Sequence, residues 1–148
     1  MATIVVPTEE YRIITHPHMG KTPILGTFAG VGIYSQKDNS GIIGMFAVMT
    51  EGLDEMCRRA LCDFHDTKVL VVGCSPLTED DGLVEAVQQL RATGDHPVTL
   101  VQQTKDAVTE IVRKYYERPT IEWSDAMGNT RLYISTRQKR MYATNKAG

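Results

Sequence analysis

The sequence has no apolar run approaching the ~18 residues that a membrane-spanning helix needs. Its beginning also lacks a basic segment followed by a long apolar one, so neither a bilayer span nor a secretory leader is expected. Cysteine is scarce: three in 148 residues, an odd count without framework spacing. That argues for reduced thiols and a cytoplasmic setting rather than a disulfide scaffold. Neither sign of charge dominates, and the formal net charge of −2 argues against nucleic-acid binding. The phosphate-loop spacing G-x-x-x-x-G-K-[S/T] is missing, as is a G-x-G-x-x-G that opens a helix, and no cofactor is expected. Repeats, low-complexity segments and linkers are missing too. Residues 1–148 therefore read as one globular domain, long enough to bury a substantial core.

What is present centres on residues 22–50, the longest weakly charged stretch. Residues 24–34 and 42–49 are small, apolar and β-branched. Between them lies the turn cluster Lys37, Asp38, Asn39, Ser40 and Gly41, so the stretch reads as a buried hairpin. Gly26, Gly30 and Gly32 would let a neighbouring chain approach closely. Short strands are expected at 3–6 and 11–14, with 15–20 a loop. Thr50 is placed to cap a helix whose apolar stripe is Leu53, Met56, Ala60, Leu61 and Phe64. Residues 68–74 read as a buried strand. A polar connection leads from Ser75 to Gly82, and a second helix carries Leu83, Val84, Val87 and Leu90 before Gly94. Residues 98–101 read as a strand. Thr104 would cap a third helix bearing Val108, Ile111, Val112 and Tyr115. Residues 120–123 alternate as a strand, 125–129 form a turn, and strands at 131–135 and 141–143 close the chain across the basic turn 137–140. The whole is an α/β (α+β) sandwich, a mixed β-sheet core with about three helices.

Few residues carry chemistry. His16 and His18 form an H-x-H pair that would lie on one side of an extended segment and could share a metal, although no third ligand stands nearby. Cys57 and Cys62 diverge by roughly 140° on a helix, so they do not share a ligand, and Cys57 reads as a small core residue. Cys74 ends a buried strand, where α/β folds often place functional groups, and is the candidate nucleophile; no histidine is tied to it by spacing. Arg137, Lys139, Arg140 and Lys146 make a basic patch that reads as a solvated turn.

The hairpin resembles that of CheD-type chemotaxis proteins, which deamidate receptor glutamines. That family carries T-x-x-x-L-G-S-C-V-A-V, a turn, and a returning G-G-M-A-H-x-M-L-P. This chain has Thr22-Pro23-Ile24-Leu25-Gly26-Thr27-Phe28-Ala29-Gly30-Val31 and then Ile43-Gly44-Met45-Phe46-Ala47-Val48-Met49. The strand ending at Cys74, the helical Leu83-Val84-Glu85-Ala86-Val87, and Gly128-Asn129 before the closing hairpin follow the family's order. The resemblance implies a CheD-like fold. It also places the family's catalytic cysteine on Phe28 and its histidine on Ala47, and only the threonine, at Thr22, is kept. Deamidation needs a thiolate and a histidine that shuttles protons, and Phe28 and Ala47 supply neither.

The expectation is therefore a non-catalytic regulatory or adaptor protein of chemotaxis-type signalling. It would bind a receptor or other signalling protein around Thr22, Gly26, Thr27, Phe28 and Ala47 and along the helix that begins at Glu51. Two alternatives stand beside it. One is a cysteine-dependent amidase or deamidase with Cys74 as relocated nucleophile, assisted by His16, His18 or His65. The other is a small-molecule binder whose pocket is lined by the glycine-rich hairpin and Trp123.

Overall fold

A computed structural model describes residues 2–75, 97–124 and 129–146. The strands are β1 (Thr3–Val5), β2 (Tyr11–Thr15), β3 (Met19–Lys21), β4 (Ala29–Ser35), β5 (Ser40–Phe46), β6 (Thr67–Gly73), β7 (Thr120–Trp123), β8 (Asn129–Ser135) and β9 (Arg140–Lys146). The helices are α1 (Glu51–Asp63) and α2 (Pro97–Tyr115). One sheet has the order β2-β5-β4-β6-β7 and the other β1-β3-β8-β9. The fold is thus mixed α+β with two sheets and, among the described residues, two helices. The helix expected around Leu83–Leu90, the connection from 76 to 82, the stop at Gly94 and the turn at 125–128 lie outside the described residues. No described helix is long and apolar enough to cross a membrane.

The period-two alternation of β4 explains the layering. Ala29, Val31 and Ile33 face the helices, where they join Ile42, Phe46, Val69 and Val71 with Leu53, Met56, Cys57 and Ala60 of α1 and Val101, Val108 and Val112 of α2. On the other face Gly30 and Gly32 admit the second sheet. A Cβ on Gly32 would stand 2.5 Å from Met141 Sδ, and one on Gly30 would stand 2.9 Å from Leu25 Cδ1. Ile14, Leu25, Tyr34, Ile43, Met45, Val72, Leu132 and Ile134 fill this second core between the sheets. The two sheets and the helices form three layers, with β4 and β5 in the middle one, buried on both sides as their apolar sequence demanded.

Two hairpins end in the same way. β4 and β5 are joined across residues 36–39, and β8 and β9 across residues 136–139. In each turn the preceding serine accepts a backbone N–H: Ser35 Oγ from Asp38 at 3.1 Å, and Ser135 Oγ from Gln138 at 3.2 Å. Each closes on a left-handed residue, Asn39 at φ 46° and Lys139 at φ 53°.

Several expectations shift. Strand β4 starts at Ala29 instead of residue 24, because Gly26 at φ 56° turns the chain and Phe28 N–H bonds back to Leu25 C=O at 2.9 Å. Met19 and Gly20, read as loop, form with Lys21 the strand β3, held between β1 and β8. Residues 98–101, read as a strand, are the first turn of α2. Pro97 suits the first helical position, and the stripe Val101, Thr104, Val108 and Val112 overrides the β-propensity of the valines. Thr104 is accordingly buried inside the helix and is not its cap. Thr50 precedes α1 as expected, but its hydroxyl makes no cap bond; only its carbonyl accepts, from Asp54 N–H at 3.0 Å. Leu61, placed on the apolar stripe, is half-exposed on the outer face, and Cys57 takes the core position in its place.

The helices are linked at their surface by Asp54. It accepts from Tyr115 Oη at 2.7 Å and pairs with Arg58 Nε at 2.9 Å. Tyr115, Arg58 and Lys114 together hold its carboxyl below the ordinary carboxylate range.

Candidate functional site

Phe28 and Ala47 lie at one end of the five-stranded sheet, whereas Thr22 is tied to Leu132 of the four-stranded one. The register that pairs Ala29 with Phe46 sets Phe28 opposite Ala47, one step beyond the last rung. On the other side Ala29 pairs with Gly73, and Phe28 C=O accepts Cys74 N–H at 2.9 Å. Gly73 in turn pairs with Trp123, and Ser124 N–H donates to Gly73 C=O at 2.9 Å. Ala47, Phe28, Cys74 and Ser124 therefore stand in a row across four strand ends. Two of those ends are the carboxyl ends of the parallel pair β6 and β7. The backbone here is tightly tied, for Gly26 C=O accepts Ser75 N–H at 2.8 Å and Leu25 N–H donates to Thr130 C=O at 2.9 Å.

Phe28, Ala47 and Cys74 were candidates of separate readings, and the strand pairing brings their backbones to one sheet end. Thr22 is buried, and its hydroxyl is committed. Thr22 Oγ1 accepts Leu132 N–H at 3.0 Å while Thr22 N–H donates to Leu132 C=O at 2.9 Å, so the residue clamps the hairpin approach to β8. Phe28 is half-buried and packs into the core between the sheets. Gly26, Thr27 and Ala47 are partly open at the rim. Ile24 and Met49, the neighbouring apolar residues on the two arms of the hairpin, are 44% and 63% exposed.

Cys74 is fully buried, at φ 51°, among the side chains of the core under the helices. Burial pushes its thiol up to about 12, and the charge of nearby Lys105 offsets that only in part. A nucleophilic cysteine needs the reverse. The three described histidines give no help. His65 Nδ1 lies 3.4 Å from Asp38 Oδ2, His16 Nδ1 lies 3.4 Å from Asn39 Nδ2, and His18 C=O accepts the Thr136 hydroxyl. All three sit at the turn end of the hairpins. The seven residues of β4 separate that end from Cys74 by roughly 20 Å at ~3.3 Å per residue. The arrangement of Cys74 with His16, His18 or His65 is not assembled. Ser75, beside it, is 5% exposed, and its hydroxyl has no hydrogen-bond partner among the described residues.

The metal reading of His16 and His18 meets a similar obstacle. His18 Nδ1 accepts Ala2 N–H at 3.1 Å, and no group of three His, Cys, Asp or Glu suited to a metal occurs among the described residues. Trp123, offered as a pocket wall, packs half-buried against the helix-side core, with Lys105 Nζ 6.0 Å from its ring centroid.

One feature at the turn end escaped the sequence. Lys37, Lys68, Lys139 and Arg140 line a single cleft, although they come from three separate segments. Each alone reads as a solvated charge, so only the pairing of the strands could have revealed it. Comparison with protein-family models finds no match for this chain, and comparison with curated proteins finds none either.

Proposed function

We propose that this chain is a non-catalytic, CheD-like regulatory or adaptor protein that acts by holding a signalling partner at the Phe28 end of its five-stranded sheet. The observation that carries the reading is that Phe28 and Ala47 directly follow the last rung of the β4–β5 ladder, beside a thiol that is buried and held protonated. A phenyl ring and a methyl group occupy the two positions where a thiol and an imidazole would act, and no described group takes over their chemistry. What remains at the rim is apolar and partly open: Ile24, Phe28, Ala47 and Met49. Such a rim favours contact with a protein surface through apolar anchors.

The test uses the place of these two residues just past the last rung, Ala29 with Phe46. Residues directly opposite on antiparallel strands hold their Cβ atoms about 5 Å apart, which sets the scale for a thiol and an imidazole at the end of the ladder. Receptor-derived glutamine peptides are incubated with the native chain and with the Phe28→Cys/Ala47→His variant, and the ~1 Da gain of deamidation is read by mass spectrometry. Expected are silence from the native chain and slow turnover from the variant. Turnover by the native chain would overturn the non-catalytic reading. Silence from a folded variant would overturn the CheD-like one.

A further inference from the structure

At the turn end of the molecule, some 20 Å along β4 from Phe28 at ~3.3 Å per residue, the two sheets part around a cleft of about 480 Å³. Tyr34 and Met141, members of the core between the sheets, line it together with the polar side chain of Gln36. Lys37 comes from the β4–β5 turn, and Lys68 from β6, where it pairs with Tyr34. Lys139 comes from the β8–β9 turn and Arg140 from the start of β9. Among the described residues of the lining, Asp66 is the one carboxylate beside four cations.

Two features bear on these cations. The first is that, among the described residues, they stand outside the ion pairs of the surface, which join Arg12 with Glu10, Arg58 and Lys114 with Asp54, and Arg59 with Asp63. None of the four cleft cations has a carboxylate within ion-pair distance among the described residues. Asp38, on the same turn as Lys37, is already engaged by His65 through the backbone N–H at 2.8 Å and the ring at 3.4 Å. The second is that the surroundings do not neutralise them. The segments β1, β3, β8 and β9 contain no Asp or Glu, so the whole four-stranded sheet beside the cleft is either neutral or cationic. Like charges gathered around a concavity focus a positive field there, although the chain as a whole is slightly acidic.

The elements around the cleft are also held in place. Arg140 lies with its guanidinium carbon 4.1 Å from the Tyr142 ring centroid, and Tyr142 stacks on Tyr133 at 5.0 Å. The Tyr34 hydroxyl donates to Asn39 Oδ1 at 2.7 Å, which braces the β4–β5 turn. Arg140 and the turn that carries Lys37 are therefore partly ordered before any ligand arrives, which lowers the entropic cost of binding.

We propose that this cleft is a binding site for a small phosphorylated molecule carrying at least two phosphate charges. Volume and concavity suit a small ligand, since such sites commonly span about 300–1,000 Å³. Lysine and arginine are the side chains that bind phosphate by charge and by forked hydrogen bonds. A single phosphate would leave much of the positive lining unmatched. A nucleic-acid strand would have to be read across an open surface, not within a cleft. The proposal is independent of the reading of the Phe28 end, and either can fail without the other.

Inorganic pyrophosphate is the probe, followed by titration calorimetry and thermal melting, with orthophosphate and a single-stranded oligonucleotide alongside. Expected is one pyrophosphate per chain, bound at least tenfold more tightly than orthophosphate. The melting temperature should rise by roughly 5 °C or more at a hundredfold excess over Kd. The Lys68→Ala/Lys139→Ala variant should bind at least tenfold more weakly while melting normally without ligand, and Lys105→Ala should bind as the native chain does. The proposal is overturned by the absence of both heat and melting shift at millimolar pyrophosphate. Equal loss in Lys105→Ala, or an oligonucleotide that binds more tightly than pyrophosphate, would also overturn it.

Discussion

A Gly73→Ala chain should melt roughly 10 °C below the native one, from a loss of about 3–5 kcal/mol and a slope of ~2–4 °C per kcal/mol for a domain of this size. Gly73 ends β6 at φ 101°, a conformation that residues with a Cβ rarely adopt. A Cβ there would also stand 2.5 Å from the Phe28 carbonyl oxygen, which is backbone and cannot swing away, and 3.0 Å from Leu25 Cδ1. That carbonyl is the acceptor for Cys74 N–H, so relief of the clash would break the tie between β4 and the chain leaving β6. Gly26→Ala separates the two costs. Gly26 is also left-handed, at φ 56°, but a Cβ there meets nothing within 4 Å. Its cost should be the conformational part alone, about 1–2 kcal/mol. Urea unfolding of the two variants checks the difference; equal losses would mean that the Phe28 contact contributes nothing.

Phe46→Ala should cost about 3–5 kcal/mol, toward the upper end of what core truncations of this kind show. The ring is fully buried between β5 and α1. It lies over two glycines, one in each element. A Cβ on Gly44 would run into the Phe46 ring, and one on Gly52 would stand 3.1 Å from it. With no side chain at either glycine to relax inward, the cavity would stay open. The same geometry makes the two sites interdependent. Gly44→Ala should be damaging in the native chain, where the ring and Met56 Sδ occupy the space, and less so in the Phe46→Ala background, where only the flexible Met56 side chain remains in the way. A double-mutant cycle should return a coupling of at least ~1 kcal/mol. Strict additivity would show that the ring does not fill that space.

Much of this layering was legible in the sequence, and the reasons differ from element to element. The β4–β5 hairpin stood out because both faces are apolar and a turn cluster divides the arms. Helix α1 stood out because its apolar residues recur at helical spacing. Residues 98–101 misled because three of the four favour strands locally, while the stripe that makes them helical extends through Thr104 to Val112. Strand β3 was hidden because Met19, Gly20 and Lys21 show no alternation of their own and are strand only through their neighbours β1 and β8. At the candidate site, the place of Cys74 at the end of a buried strand could be read, but its nearness to Phe28 depends on the pairing of β4 with β6. The burial of Cys74 and the distance of the histidines could not, since both depend on how β4 and β6 are paired. The cationic cleft is the extreme case. Lys37, Lys68, Lys139 and Arg140 are spread over more than a hundred positions, and only the folded chain gathers them.

Thiol reactivity in the native state tests the non-catalytic reading most directly. An aromatic disulfide reagent at pH 8, with the labelled cysteines located by peptide mass mapping, distinguishes the three thiols. Cys62 is exposed, whereas burial holds both Cys57 and Cys74 at about 12. Expected is a single fast equivalent at Cys62. Cys57 and Cys74 should become reactive only when the chain is unfolded, with no opening between pH 7 and pH 10. Labelling of Cys74 at neutral pH as fast as Cys62 would contradict the reading. It would require a thiolate at the end of β6, and with it a reactive centre where the account has none.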